Sequence, residues 1–195
     1  MAKSSSTKSV SKTPSNQTSK AAPKKFDPLS VTDADTSVQD LFVSELKDTY
    51  WAENHLLKAI PKMVAAAGAN DLQQALTVHL KITMTHASRL EKIFEILGEK
   101  VIAKKCDAME GLTMTGEHII ENTVTGTQTR DLGIIMSGLK VENFEITTYK
   151  GLIEVANSLG KPDIAELLQQ TLDEEIESSD ILTNMSRSII GSQPS

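Results

Sequence analysis

A chain of 195 residues, 39% hydrophobic and 24% charged, can bury one sizeable core, so a single domain of about 150 residues is expected. Aromatic residues make up only 4%, and the apolar content is mostly Leu, Ile, Val, Ala and Met, which favours helix packing over a sandwich of sheets. The formal charge is −6, and the single cysteine, Cys106, excludes an internal disulfide framework and a zinc–thiolate cluster.

Residues 1–25 carry Lys3, Lys8, Lys12, Lys20, Lys24 and Lys25 and no acidic residue, so a basic segment precedes a body more acidic than the whole chain. Rich in Ser, Thr and Lys, this segment lacks the apolar side chains that would offset the entropy of ordering, and residues 1–36 are predicted to form a disordered tail. No hydrophobic run follows its lysines, which argues against a secretory signal. No stretch approaches the roughly 20 apolar residues of a membrane span, so a cytoplasmic location without a membrane partner is expected.

A first long helix is predicted from Thr36 or Ser37, where Thr36 and Gln39 fit a capping box, to about Ala67, with Pro61 a candidate kink and Gly68 the stop. Asn70 or Asp71 is expected to cap the second, whose apolar stripe continues to Leu97 before Gly98 supplies the left-handed terminating position. The Lys-rich stretch from Glu99 to Lys105 reads as a loop. Residues 106–122 read as a short amphipathic crossover helix with Met109, Leu112, Ile119 and Ile120 on one face. The third long helix is predicted from Thr129 to Leu159, ended by Gly160, and Pro162 suits the first turn of a fourth that ends near Ile190, leaving 191–195 as a C-terminal tail. Two helical hairpins joined by a crossover give an all-α fold, an antiparallel four-helix bundle over residues 37–190.

Acidic residues interrupt the apolar stripes of these helices. Glu53 stands among Leu46, Thr49, Leu56 and Ile60; Glu142 and Glu145 among Ile135, Gly138, Tyr149 and Leu152; Glu175 among Leu168, Thr171, Ser178 and Leu182. The second helix offers His79 and His86 on the stripe Leu72, Ala75, Ile82, Leu90, Ile93. Because each helix rises about 1.5 Å per residue, positions equally distant from a hairpin turn lie level. Glu53 then comes level with about residue 84, near His86, and Glu145 level with about residue 176, next to Glu175. Glu142 shares a face with Glu145, three residues on. A buried carboxylate needs a cation or a dense hydrogen-bond network, so Glu53, His86, Glu142, Glu145 and Glu175 are the candidate metal ligands. Oxygen ligands with imidazole suit iron or manganese, singly or as a pair. Glu45 lies about 12 Å along the axis from Glu53 and cannot share its ion.

The runs Glu45-Leu46-Lys47-Asp48-Thr49-Tyr50-Trp51-Ala52-Glu53, Cys106-Asp107-Ala108-Met109-Glu110-Gly111-Leu112, Lys140-Val141-Glu142-Asn143-Phe144-Glu145 and Thr171-Leu172-Asp173-Glu174-Glu175 resemble those of the YciE/YciF-type ferritin-like stress proteins (domain of unknown function 892) over about residues 37–188. The resemblance implies a ferritin-like bundle, usually a dimer, made by bacteria under stress, with a carboxylate metal site in some members and no settled activity. Two positions depart from the pattern: Ile82 stands where relatives carry a glutamate, and Ser179 where an aspartate falls. A site lacking these oxygens could bind weakly, hold one ion, or be empty.

Two readings of the acidic layer stay open at this point: a metal site, or a buried network of the same carboxylates with Tyr149, Lys58 and the histidines. His79 reads as a core histidine, His55 and His118 as solvated, Cys106 as a small buried residue, and Met109, Met114 and Met136 as core fillers. No Ser-His-Asp set or phosphate-cradling loop occurs, so any catalysis would need redox-active metal handling peroxide or dioxygen. The alternative is a non-catalytic structural or interaction protein, acting as a dimer, whose basic tail contacts nucleic acid weakly by release of phosphate counterions.

Overall fold

The computed structural model describes Met1 and residues 37–191, so the predicted basic tail and residues 192–195 lie outside the described residues. Five helices follow in order: α1 Val38–Ala66, α2 Asn70–Leu97, α3 Asp107–Asn122, α4 Gln128–Ser158 and α5 Pro162–Gly191, with no strand among the described residues. α1 packs on α2 and α4 on α5, each pair joined by a short turn. α2 also meets α5 and α1 meets α4, while α3 lies against α4 and α1. No described helix is long and apolar enough to cross a membrane.

The helix ends agree with the predicted boundaries to within one or two residues, but several caps differ. Ser37 caps α1, its Oγ accepting from Asp40 N at 3.1 Å and donating to Asp40 Oδ2 at 2.7 Å. The predicted partner Thr36 lies outside the described residues. α1 runs unbroken through Pro61, which removes the donor that the Leu57 carbonyl would otherwise use. Gly98 and Gly160 do adopt the left-handed backbone, with φ of 69° and 67°.

Neither Asn70 nor Asp71 caps α2. Its N-cap is Ala69, with no side-chain bond of its own. The turn that leads into it is held instead from α4: Asp131 Oδ1 accepts from Gly68 N at 2.7 Å and Asp131 Oδ2 from Ala69 N at 3.0 Å. Gly68 is needed here for close approach, since a Cβ on it would lie 3.0 Å from Gly126 Cα. Arg130 closes the same end by donating to the carbonyls of Ile120 and Thr123 and to the hydroxyls of Thr123 and Thr125, satisfying the last turn of α3.

Two apolar clusters fill the interior. One contains Phe42, Leu46, Leu90, Phe94, Tyr149, Leu152 and Leu168; the other contains Leu56, Ile60, Leu72, Leu76, Met109, Ile135 and Leu182. Glu53 and His86, and Glu142, Glu145 and Glu175 with them, are buried where the two clusters meet along the long helices. Met109 is fully buried as expected, but Met114 and Met136 are 47% and 53% exposed, because each sits on the outward side of its helix. His55 is also misread as solvated. It is half-buried, stacks on Trp51 with ring centroids 4.5 Å apart, and places Nε2 2.8 Å from Thr113 Oγ1 on α3.

Candidate metal centre

Between the two apolar clusters, α1, α4 and α5 turn acidic side chains inward and α2 turns histidines. Glu53, His86, Glu142, Glu145 and Glu175, the five residues singled out in the sequence, are each no more than 2% exposed. One atom each from Glu53, His86 and Glu175 lies within 4.8 Å of the other two, and the same holds for His79, Glu142 and Glu175. Glu175 therefore belongs to two triads. Glu145 belongs to neither, although it is near enough to Glu175, Glu53 and Glu142 for their charges to act on it.

The imidazoles are oriented from both sides. His86 Nδ1 lies 2.9 Å from Glu175 Oε1 and 3.6 Å from Glu53 Oε1, while Nε2 lies 2.8 Å from Glu174 Oε2. Glu174 is held in turn by Arg89, at 2.9 and 3.2 Å, and Arg89 also donates to Thr171 Oγ1. His79 repeats the pattern, with Nε2 3.4 Å from Glu142 Oε1 and Nδ1 3.0 Å from Ser178 Oγ. Tyr149 donates to Glu53 Oε1 at 2.5 Å.

Burial sets the protonation of the cluster. It raises Glu142 and Glu145 well above the ordinary carboxyl range, and the negative charge of Glu175 pushes both further. Glu53 rises for the same first reason. Burial would lower His86, but the close contacts and charges of Glu175 and Glu53 prevail and lift it to about 10. Glu175 is kept low against its burial by His86 and Glu142. Desolvation lowers His79, so its contact with Glu142 joins two neutral groups and is no ion pair.

Seven atoms of this cluster have no aligned hydrogen-bond partner: Glu53 Oε2, His86 Nδ1, Glu142 Oε2, and both oxygens of Glu145 and of Glu175. The close approach of His86 Nδ1 to Glu175 is short but not directed along an N–H bond. Buried acceptors left this way are costly, and a divalent cation is one partner that would satisfy such carboxylates. Each imidazole turns one nitrogen into the cluster and anchors the other outside it, to Glu174 or Ser178, which is how metal-binding histidines are ordinarily oriented. The residues present fit a metal.

Lys58, a candidate for a metal-free network, is exposed and takes no part. The sequence reading also set His79 aside as a core histidine, because equal heights were reckoned for a single plane. The cluster instead extends along the axis, so His79, seven residues before His86, meets Glu142. Arg89 and Glu174 were overlooked; the signal was Arg89 three residues after His86, facing the acidic pair Glu174 and Glu175. Ile82, where the family resemblance implies a glutamate, is half-buried, while Thr83 is buried beside it, so Ile82 stands at the edge of the inward face. Ser178, not Ser179 or Asp180, is the buried residue of its turn in α5.

Residues 37–193 match the family described as Domain of unknown function (DUF892). The chain belongs to the DUF892 family. Protein YciF of Escherichia coli (strain K12) is 36% identical over 140 residues, which covers 71% of this chain and 84% of that protein. The crystal structure of the E. coli stress protein YciF superposes with a TM-score of 0.78 at 33% identity, covering 81% of this chain and 99% of that one. A Rhodopseudomonas palustris protein, YcfI, described as a putative structural protein, gives 0.76 at 33% identity, over 80% of this chain and 98% of its own. The DUF892 family thus accounts for the whole helical region described.

Proposed function

We propose that this DUF892 protein is a cytoplasmic ferritin-like stress protein whose four long helices form an antiparallel bundle around an iron or manganese centre. One observation carries the reading: two carboxylate–histidine triads share Glu175, and in each the imidazole turns one nitrogen inward while its other nitrogen is anchored outside. Glu53, His86 and Glu175 would hold one ion, and His79, Glu142 and Glu175 a second, with Glu145 beside them. Bound iron or manganese would supply the redox chemistry towards peroxide or dioxygen that the side chains themselves lack.

The chain's own part is to position and to exclude water. Arg89 fixes Glu174, Glu174 fixes His86, and the proton on His86 Nδ1 is the one a cation must displace. Tyr149 holds Glu53 Oε1 and leaves Oε2 free to bind. Glu142 and Glu145 hold protons in the metal-free chain, and two divalent ions that displaced these and the His86 proton would balance the charge of the four carboxylates.

Metal analysis of protein purified without chelators, then reloaded with Mn(II) or Fe(II), tests this. Retained metal in the wild type and its loss in Glu175→Ala are expected; a chain that takes up no metal overturns the reading. The rival reading is a non-catalytic structural protein acting as a homodimer, favoured by the half-buried Ile82 in place of a glutamate. In that case Glu175→Ala would change stability and leave metal content at zero in both proteins. Contact of the basic tail with DNA belongs to the same reading, and should weaken steeply with salt and vanish when residues 1–25 are removed.

A further inference from the structure

Beside the His79–Glu142 end of the cluster lies a cavity of about 70 Å3, walled by all five helices. A single water needs on the order of 10–15 Å3, together with two to four polar partners. Space is ample here, but partners are scarce. Leu56, Ile60, Val141 and Leu182 are among its apolar lining, and Ala59 contributes only a methyl group.

The polar groups on the wall are largely engaged elsewhere. Thr113 Oγ1 lies 2.8 Å from His55 Nε2 and donates to the Met109 carbonyl at 3.1 Å, and Ser178 Oγ is 3.0 Å from His79 Nδ1. Glu142 Oε2 is a buried wall atom that lacks a partner, and Ser137 adds a hydroxyl to the same wall. Loose packing does not account for the void, because its neighbours are in tight contact: a Cβ on Gly138 would lie 2.9 Å from Leu182 Cδ1, and one on Gly116 3.0 Å from Ser137 Oγ. Its lining also includes Ile181 on α5, which is 44% exposed.

We propose that this chamber takes up dioxygen and delivers it to the His79–Glu142 side of the centre. The proposal rests on the metal reading above and chooses between its two oxidants. Dioxygen is apolar and needs no hydrogen bonds, whereas the two hydroxyls of hydrogen peroxide would find few unengaged partners on walls that are mostly apolar, Glu142 Oε2 chief among them.

The test uses the full chain without metal and dioxygen itself as the paramagnetic probe. Methyl relaxation is measured under oxygen pressure, with nitrogen as the control. Enhancement at Ile60, Val141 and Leu182 is expected to exceed several-fold that at Leu152 and Leu172, which are comparably buried in the other apolar cluster. Ala59→Leu should abolish the difference by filling the chamber, and Ala75→Leu fills it from α2 if the first variant fails to fold. Equal enhancement in both clusters, or an enhancement that survives filling, overturns the chamber while leaving the metal reading intact. Mn(II) uptake measured on the same wild-type sample separates the other failure: no uptake overturns the metal reading and, with it, delivery to the centre.

Discussion

Glu175 serves both triads and Glu145 neither, so the two carboxylates should respond unequally to removal. Glu175→Ala is expected to abolish metal retention, while Glu145→Ala lowers it but leaves some, a contrast that elemental analysis of the two purified variants would show. Arg89 touches neither triad, yet it is one step behind His86. Loss of such outer partners ordinarily costs about 10–100-fold in metal affinity, and Arg89→Ala is predicted to weaken Mn(II) binding by that order in a calorimetric titration. An unchanged affinity would mean that Glu174 holds His86 unaided. These roles were partly legible in the sequence. A glutamate on an apolar stripe is conspicuous, so Glu53, Glu142, Glu145 and Glu175 stood out, whereas Arg89 and Glu174 look like ordinary surface charges until the fold brings them to His86.

At the level of helices, boundaries were readable wherever a local signal existed. Gly98, Gly160 and Pro162 act through their own backbone, and each ends or begins a helix as the sequence implies. The capping of α2 was not readable, because the turn amides before it are satisfied by Asp131, about sixty residues later in the chain. Hydrogen bonds to a charged group contribute about 1.5–3 kcal/mol each, and Asp131 makes two from a buried position. Asp131→Ala should therefore lower the unfolding free energy by at least about 2 kcal/mol, measured by urea denaturation. Ile82→Glu concerns the inward edge of α2. It is expected to raise Mn(II) affinity if the centre is short of one oxygen, and to destabilise the metal-free protein because the new carboxylate is half-buried.

For the whole molecule, the clustered acids make folding without metal depend on pH in a particular direction. Glu142 and Glu145 keep their protons in the folded chain to a higher pH than in the unfolded one, where they ionise near 4.5. Stability is therefore lost as pH rises above that value. His86 adds in the same sense: its contribution is complete below 6.5, its ordinary value, and disappears as pH rises through about 10. Glu175 acts the other way, but only below 4.5, where protonating it costs stability. The metal-free protein should thus melt at a higher temperature near pH 6 than near pH 9. Mn(II) should flatten or reverse that trend, because cations and protons compete for the same oxygens. Differential scanning calorimetry at the two pH values, with and without Mn(II), would decide it.

The bond from Asp131 to the turn between α1 and α2 has a further consequence, for the timing of exchange with solvent. Amides in a short turn normally trade their hydrogens quickly, since a small local opening exposes them. Gly68 and Ala69 are held by a carboxylate that belongs to the other hairpin, so their amides are released only when α4 draws away from that turn. Two turn amides should then exchange as slowly as residues deep in the helices. Their rate would report how often one half of the protein parts from the other, a motion that no amide within a single hairpin can register.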